Sequence, residues 1–154
     1  MIASSTIYFN SQGEQCCGLV YENTAELNGC WVIMGHGLAC IKEMQLDAYA
    51  KRFAAEGFKV LIFDYRHFGE SDGQPRQIIN IKKQQQDWLA AIEYICQQYQ
   101  VSHSQICIWG SSLGGGHVLE MAHKLPNLAG VISQVPHSSA LAAITSAGPV
   151  RGTI

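Results

Sequence analysis

The chain has 154 residues, 47% of them apolar and 14% charged, enough for one domain with a sizeable core and unlike a disordered or fibrous composition. A formal charge of −2 and scattered Lys and Arg leave no basic footprint for nucleic acid, and no apolar run approaches a membrane span. The N-terminus, Met1 to Thr6, lacks the basic and apolar regions of a signal peptide, so a cytoplasmic location is expected. The six cysteines include no C-x-x-C pair, and in that compartment they are expected to be reduced core residues rather than disulfide partners.

In chain order, the pattern predicts two starter strands, Thr6 to Asn10 and Gln15 to Glu22, around the turn Ser11-Gln12-Gly13. The apolar run Cys30 to Met34 reads as a buried strand delivering the tight loop Gly35-His36-Gly37. Residues 42–56 predict an amphipathic helix with Leu46, Tyr49, Ala50, Phe53 and Ala54 on one face and Gly57 beyond its end. A second buried strand, Phe58 to Phe63, leads through Asp64 into a loop of turn formers. Residues 79–99 predict the next helix, with Trp88, Ala91, Ile92, Ile95 and Tyr99 at helical spacing. Gln105 to Trp109 reads as a third buried strand, Leu113 to Leu125 as a helix stopped by Pro126, and Leu128 to Val135 as a fourth buried strand.

Two starter strands followed by alternating buried strands and helices predict one α/β domain over residues 1–154, with a largely parallel sheet and helices on both faces. Ligands on such sheets bind beyond the carboxyl ends of the strands, where Gly35 to Gly37, Asp64, Gly110 to Gly114 and Pro136-His137 all fall.

Gly110-Ser111-Ser112-Leu113-Gly114 matches G-x-S-x-G between a predicted strand and helix. A serine on so sharp a turn needs neighbours without side chains, and Gly110 and Gly114 meet that need. Ser112 is therefore the candidate nucleophile, and the N–H of Leu113, at the helix start, is a candidate oxyanion donor. The competing reading is a glycine-rich turn with a passive serine.

With His-Gly at 36–37 and Asp64-Tyr65-Arg66-His67-Phe68-Gly69-Glu70-Ser71-Asp72-Gly73 added, residues 6 to 140 resemble the α/β-hydrolase superfamily. They are most similar to bacterial serine hydrolases of the serine-aminopeptidase, acyl-esterase and X-prolyl-peptidase type. The resemblance implies that the Leu38 N–H is the second oxyanion donor and that His36, beside Gly37, shapes the loop rather than acting as base. It also implies hydrolysis of an ester, thioester or peptide bond in a small-molecule or peptide substrate, with no cofactor and no metal. His67 stands where the family more often has glycine and is expected near the pocket rim.

A dinucleotide fingerprint is nearly spelled by Gly35-x-Gly37-x-x-Cys40, with Asp64 at the next strand end. Cys40 in place of the third glycine, His36 in a crowded position and two preceding strands count against it, leaving Asp64 a structural acid.

Superfamily order places the acid and then the histidine after the serine. Here the only later acid is Glu120, and the only later histidines are His117, His123 and His137. His117 and His123 are expected on a helix running away from the pocket. His137 follows a strand end and is the one candidate base, without an evident carboxylate partner. The chain is thus expected to be a hydrolase core incomplete at its C-terminus, lacking the last strands. The alternative is a catalytically inactive module that binds or dimerises through its exposed sheet edge.

Overall fold

The computed structural model describes residues 1–25 and 27–137. Six strands form one sheet in the order β1-β2-β4-β3-β5-β6. The strands are β1 (Ile2–Ser11), β2 (Glu14–Asn23), β3 (Trp31–Gly35), β4 (Lys59–Phe63), β5 (Ile106–Ser111) and β6 (Gly130–Gln134). β1 and β2 are antiparallel and join β4 antiparallel, while β4, β3, β5 and β6 run parallel. Helices α1 (Leu46–Ala55), α2 (Ile81–Tyr99) and α3 (Leu113–Lys124) connect the parallel strands.

Period-two alternation in the central strands divides the core. Trp31 and Ile33 of β3 face one way and pack with Trp88, Ile92 and Ile95 of α2 and Val118 and Met121 of α3. Val32 and Met34 face the other way and pack with Leu46, Ala50 and Ala54 of α1. Helices therefore cover both faces, as expected. Asn80 starts α2 by accepting from the Lys83 N–H at 3.0 Å, and Gln100 ends it in the left-handed region at φ 55°. All six cysteines are free thiols. Among the described residues no helix is long and apolar enough to cross a membrane.

Two expectations change. The first helix begins at Leu46, not Lys42, because Lys42 is drawn inward by carboxylates and Gln45, at φ 70°, breaks the chain before the helix. Leu128 to Val135 is not a buried strand: β6 is shorter, and Ile132 is 41% exposed. It pairs only with β5 among the described residues, so its outer edge has no neighbouring strand there. Residues 138–154, where the expected C-terminal tail falls, lie outside the described residues.

Candidate active site

β5 ends at Ser111 and α3 begins at Leu113, so the whole reversal is made at Ser112, at φ 55° and ψ −116°. Positive φ is costly for a residue with a Cβ. The turn persists because the flanking glycines let strand and helix close on each other. A Cβ on Gly110 would overlap the Gly114 carbonyl, and one on Gly114 would lie 2.7 Å from the carbonyl oxygens of both Gly35 and His36. The Ser112 backbone is tied on both sides. Its N–H donates to Gln134 O at 3.0 Å, and its carbonyl accepts from the N–H groups of Gly116 at 3.1 Å and His137 at 2.8 Å. Its hydroxyl makes no cap and has no partner among the described residues.

The loop after β3 passes directly over this turn. A Cβ on Gly37 would stand 3.3 Å from the Ser112 Cβ, so only glycine allows the approach without displacement. Leu38 follows, 56% exposed. Neither its N–H nor that of Leu113 donates to an acceptor among the described residues. His36 is 2% exposed. Its Nδ1–H donates to Gly37 O at 3.0 Å, leaving Nε2 buried without a partner. Burial holds its imidazole below the ordinary histidine range. The loop is held from beneath by a relay: Trp88 Nε1–H donates to Tyr65 Oη at 3.0 Å, and Tyr65 Oη–H donates to His36 O at 3.3 Å.

Around these loops the buried charges are closely matched. Asp64 Oδ1 accepts from the Lys42 N–H at 2.7 Å, and Oδ2 accepts from the Glu70 N–H at 3.1 Å. The Lys42 ammonium donates to Asp64 at 2.7 Å and Glu70 at 2.6 Å and lies 2.8 Å from Glu43. Burial alone would lower the Lys42 pKa, but these carboxylates hold it well above its usual value. Glu43, Asp64 and Glu70 have the spacing of a metal ligand set, but they converge on that ammonium. No helix starts beside Gly35 to Cys40 and Asp64 is fully engaged, so neither part of a dinucleotide site is present. His67 is not at the pocket rim. It is buried at φ 74°, donating from Nδ1–H to Pro75 O at 2.9 Å and accepting at Nε2 from Lys83 Nζ at 2.8 Å.

The three later histidines separate. His123 is exposed in the last turn of α3. His117, expected as a surface or packing residue of a helix running away from the pocket, is buried in packing, and it also lines a cavity of about 440 Å³ with Leu38, Leu113, Ile81, Leu119 and His137. α3 begins so close to Ser112 that its second turn still borders the strand ends. His137 also borders this cavity, yet its ring makes no hydrogen bond with Ser112 Oγ or a carboxylate among the described residues. Glu120 pairs with Lys124 at 3.3 Å. A second cleft, of about 330 Å³, holds Ser112 itself with Gly37, Leu38, Cys40, Tyr49 and Trp109. Leu38 divides the two.

Residues 30–146 match the family described as serine aminopeptidase, S33. The chain belongs to this family of α/β hydrolases. It is 42% identical over 144 residues to the quorum-quenching protein AidA of Acinetobacter baumannii, covering 94% of this chain and 47% of AidA. It is 36% identical over 97 residues to the thiohydrolase aneE of Aspergillus aculeatus, covering 63% of this chain and 30% of that protein. Among solved structures, the α/β hydrolase GrgF of Penicillium superposes with a TM-score of 0.80 at 27% identity, over 87% of this chain and 46% of GrgF. The chain thus spans less than half the length of these relatives.

In this α/β hydrolase, sequence reasoning named Ser112, Leu38, Leu113 and the glycines as candidates but gave no buried polar role to Tyr65, Trp88, Gln84 or Asp87. Only one signal marked them: Gln84 and Asp87 sit four and one positions before Trp88, on or beside its apolar face, where polar residues need buried partners.

Proposed function

We propose that the chain carries the nucleophile half of a serine acyl hydrolase. Ser112 Oγ attacks the carbonyl carbon of an ester, thioester or peptide bond and gives its proton to a base. The oxyanion accepts from the N–H groups of Leu38 and Leu113. Collapse then breaks the bond to the leaving alcohol, thiol or amine, which takes the proton, and water releases the acyl group by the same route. One observation carries this reading: a strained serine with an unpartnered hydroxyl shares a cleft with Leu38 and adjoins Leu113, whose N–H groups have no acceptor among the described residues.

The base and its carboxylate belong, in this proposal, to the length that relatives possess and this chain does not span. His137 is the alternative base, since it borders the cavity and its backbone N–H donates to the Ser112 carbonyl. The name of one relative puts thioesters first among substrates to try, and the quorum-quenching name of another adds bacterial signal molecules. The chain and a chimera bearing the second half of AidA would be treated with a fluorophosphonate. Labelling that Ser112→Ala abolishes is the expected result, in the chimera at least. No labelling in either would sink the hydrolase reading.

The edge of β6, which has no neighbouring strand among the described residues and leaves Ile132 and Val135 exposed, favours a second reading, a module that pairs through that edge. A dimer in solution that Ile132→Lys dissociates, together with absent labelling, would favour it.

A further inference from the structure

Leu113 and His117 lie four residues apart on α3 and so share one face, and both border the 440 Å³ cavity. The wall there is mostly aliphatic: Leu38, Ile79, Ile81, Leu113 and Leu119. The polar side chains at its solvent side are engaged, since Lys124 donates to Gln85 at 3.0 Å and pairs with Glu120 at 3.3 Å. His117 is different. Its Nε2–H donates to the buried Gln84 Oε1 at 2.8 Å, which leaves the lone pair on Nδ1.

That nitrogen has no donor among the described residues. The one buried side-chain atom there without a partner is His36 Nε2, so His117 Nδ1 is not sealed in protein but keeps access to the cavity. Burial, with the nearby His36 adding to it, lowers His117 to about 4, so the ring stays neutral and its lone pair available near pH 7.

We propose that His117 is a specificity residue: it accepts a hydrogen bond from an acyl chain that carries a donor, a hydroxyl or an amide N–H, within an otherwise apolar group. A plain alkyl chain in this cavity would strip water from Nδ1 and return nothing, whereas a chain with a donor satisfies it. The inference rests on the hydrolase reading only in placing the acyl carbonyl at the Leu38 and Leu113 N–H groups.

The test uses carboxylic acids, whose head group takes the place of the oxyanion. The full chain, ¹⁵N-labelled, would be titrated with octanoate, 2-hydroxyoctanoate and 3-hydroxyoctanoate, and Kd read from amide shifts. One hydroxy acid is expected to bind about tenfold more tightly than octanoate, a gap of about 1.4 kcal/mol. His117→Phe should erase that gap, with octanoate binding more tightly because no lone pair is stripped of water and the favoured hydroxy acid binding less tightly because its acceptor is gone. Gln84→Met, which keeps the ring but frees its tautomer, should narrow the gap at least threefold and serves if His117→Phe does not fold.

Octanoate binding as tightly as both hydroxy acids, no acid binding at all, or a preference that survives His117→Phe overturns the proposal. So does a preference lost in His137→Ala and kept in His117→Phe. Because binding does not need the Ser112 hydroxyl, a hydroxyl preference without fluorophosphonate labelling would sink the hydrolase reading and keep this one. The reverse pair of results would do the opposite.

Discussion

Two groups of polar side chains share the carboxyl ends of these strands, and they differ in how they are satisfied. In the loop after β4, nearly every buried polar atom is spoken for. Asp87 accepts from Ser11 Oγ at 2.6 Å, from the Arg66 N–H at 3.0 Å and from Arg66 Nε, while Arg66 also reaches Lys83 O and Gln86. Lys42, Asp64 and Glu70 close a second such set. At the neighbouring loops, Ser112 Oγ, the Leu38 and Leu113 N–H groups and His117 Nδ1 have no partner among the described residues. Satisfied polar groups hold a loop in place, and unsatisfied ones, facing clefts, are free for a ligand. The first set is the frame that keeps the second set open.

The contrast can be broken most sharply at Asp87. Burial pushes its carboxyl up, although Ser11 and Arg66 act against that shift. Asp87→Ala would leave the Arg66 guanidinium, 3% exposed, without its main partner. Removing one member of a buried pair costs about 3–5 kcal/mol. Urea denaturation should show a loss of that size, and a loss under about 1 kcal/mol would mean the network is not the frame described.

The same contrast explains what could be read in advance. Ser112 and its glycines were legible because a backbone reversal without room for Cβ atoms leaves only one residue type at fixed spacing. The order of strands and helices was legible because Val32 and Met34 alternate with Trp31 and Ile33, and Trp88, Ile92 and Ile95 recur with a helical period. Lys42 was placed at the start of a helix because its partner Asp64 is distant in sequence, and periodicity carries no information about a charge pair across 22 positions. That His117 also borders a cavity was not legible, for a related reason. Its direction depends on how α3 leans on α2 through Gln84, which is a property of packing between elements. The edge character of β6 likewise follows from strand order and not from its own residues.

His117 sharpens the comparison through pH. Its folded-state pKa lies near 4, below the ordinary 6.5, so between these values the unfolded chain binds a proton that the folded chain refuses. Stability is therefore fully present above pH 6.5, falls as pH drops toward 4, and levels off below. The loss from this residue amounts to about 3 kcal/mol. Comparing the pH dependence of unfolding for the protein and for His117→Gln isolates it from His36, which shifts in the same direction, and from Asp87. If both proteins lost stability in parallel between pH 6.5 and 4, His117 would not be the desolvated neutral ring described.

The smallest effect concerns the strained turn itself, and its sign is unusual. At φ 55° and ψ −116°, Ser112 occupies backbone space that glycine enters freely and serine does not. Such a residue stores about 1–3 kcal/mol, part of which glycine returns through its freer unfolded chain. Ser112→Gly should therefore raise stability by about 1 kcal/mol, whereas Ser112→Ala keeps a Cβ in the same place and should leave it nearly unchanged. The hydroxyl itself holds nothing in place, having no partner among the described residues, so its removal costs little in either variant. Chemical denaturation of the two variants side by side separates backbone strain from the loss of a side chain. Equal stabilities would show that the turn is relaxed with serine in it, and the strain would then no longer count in favour of a reactive residue at this position.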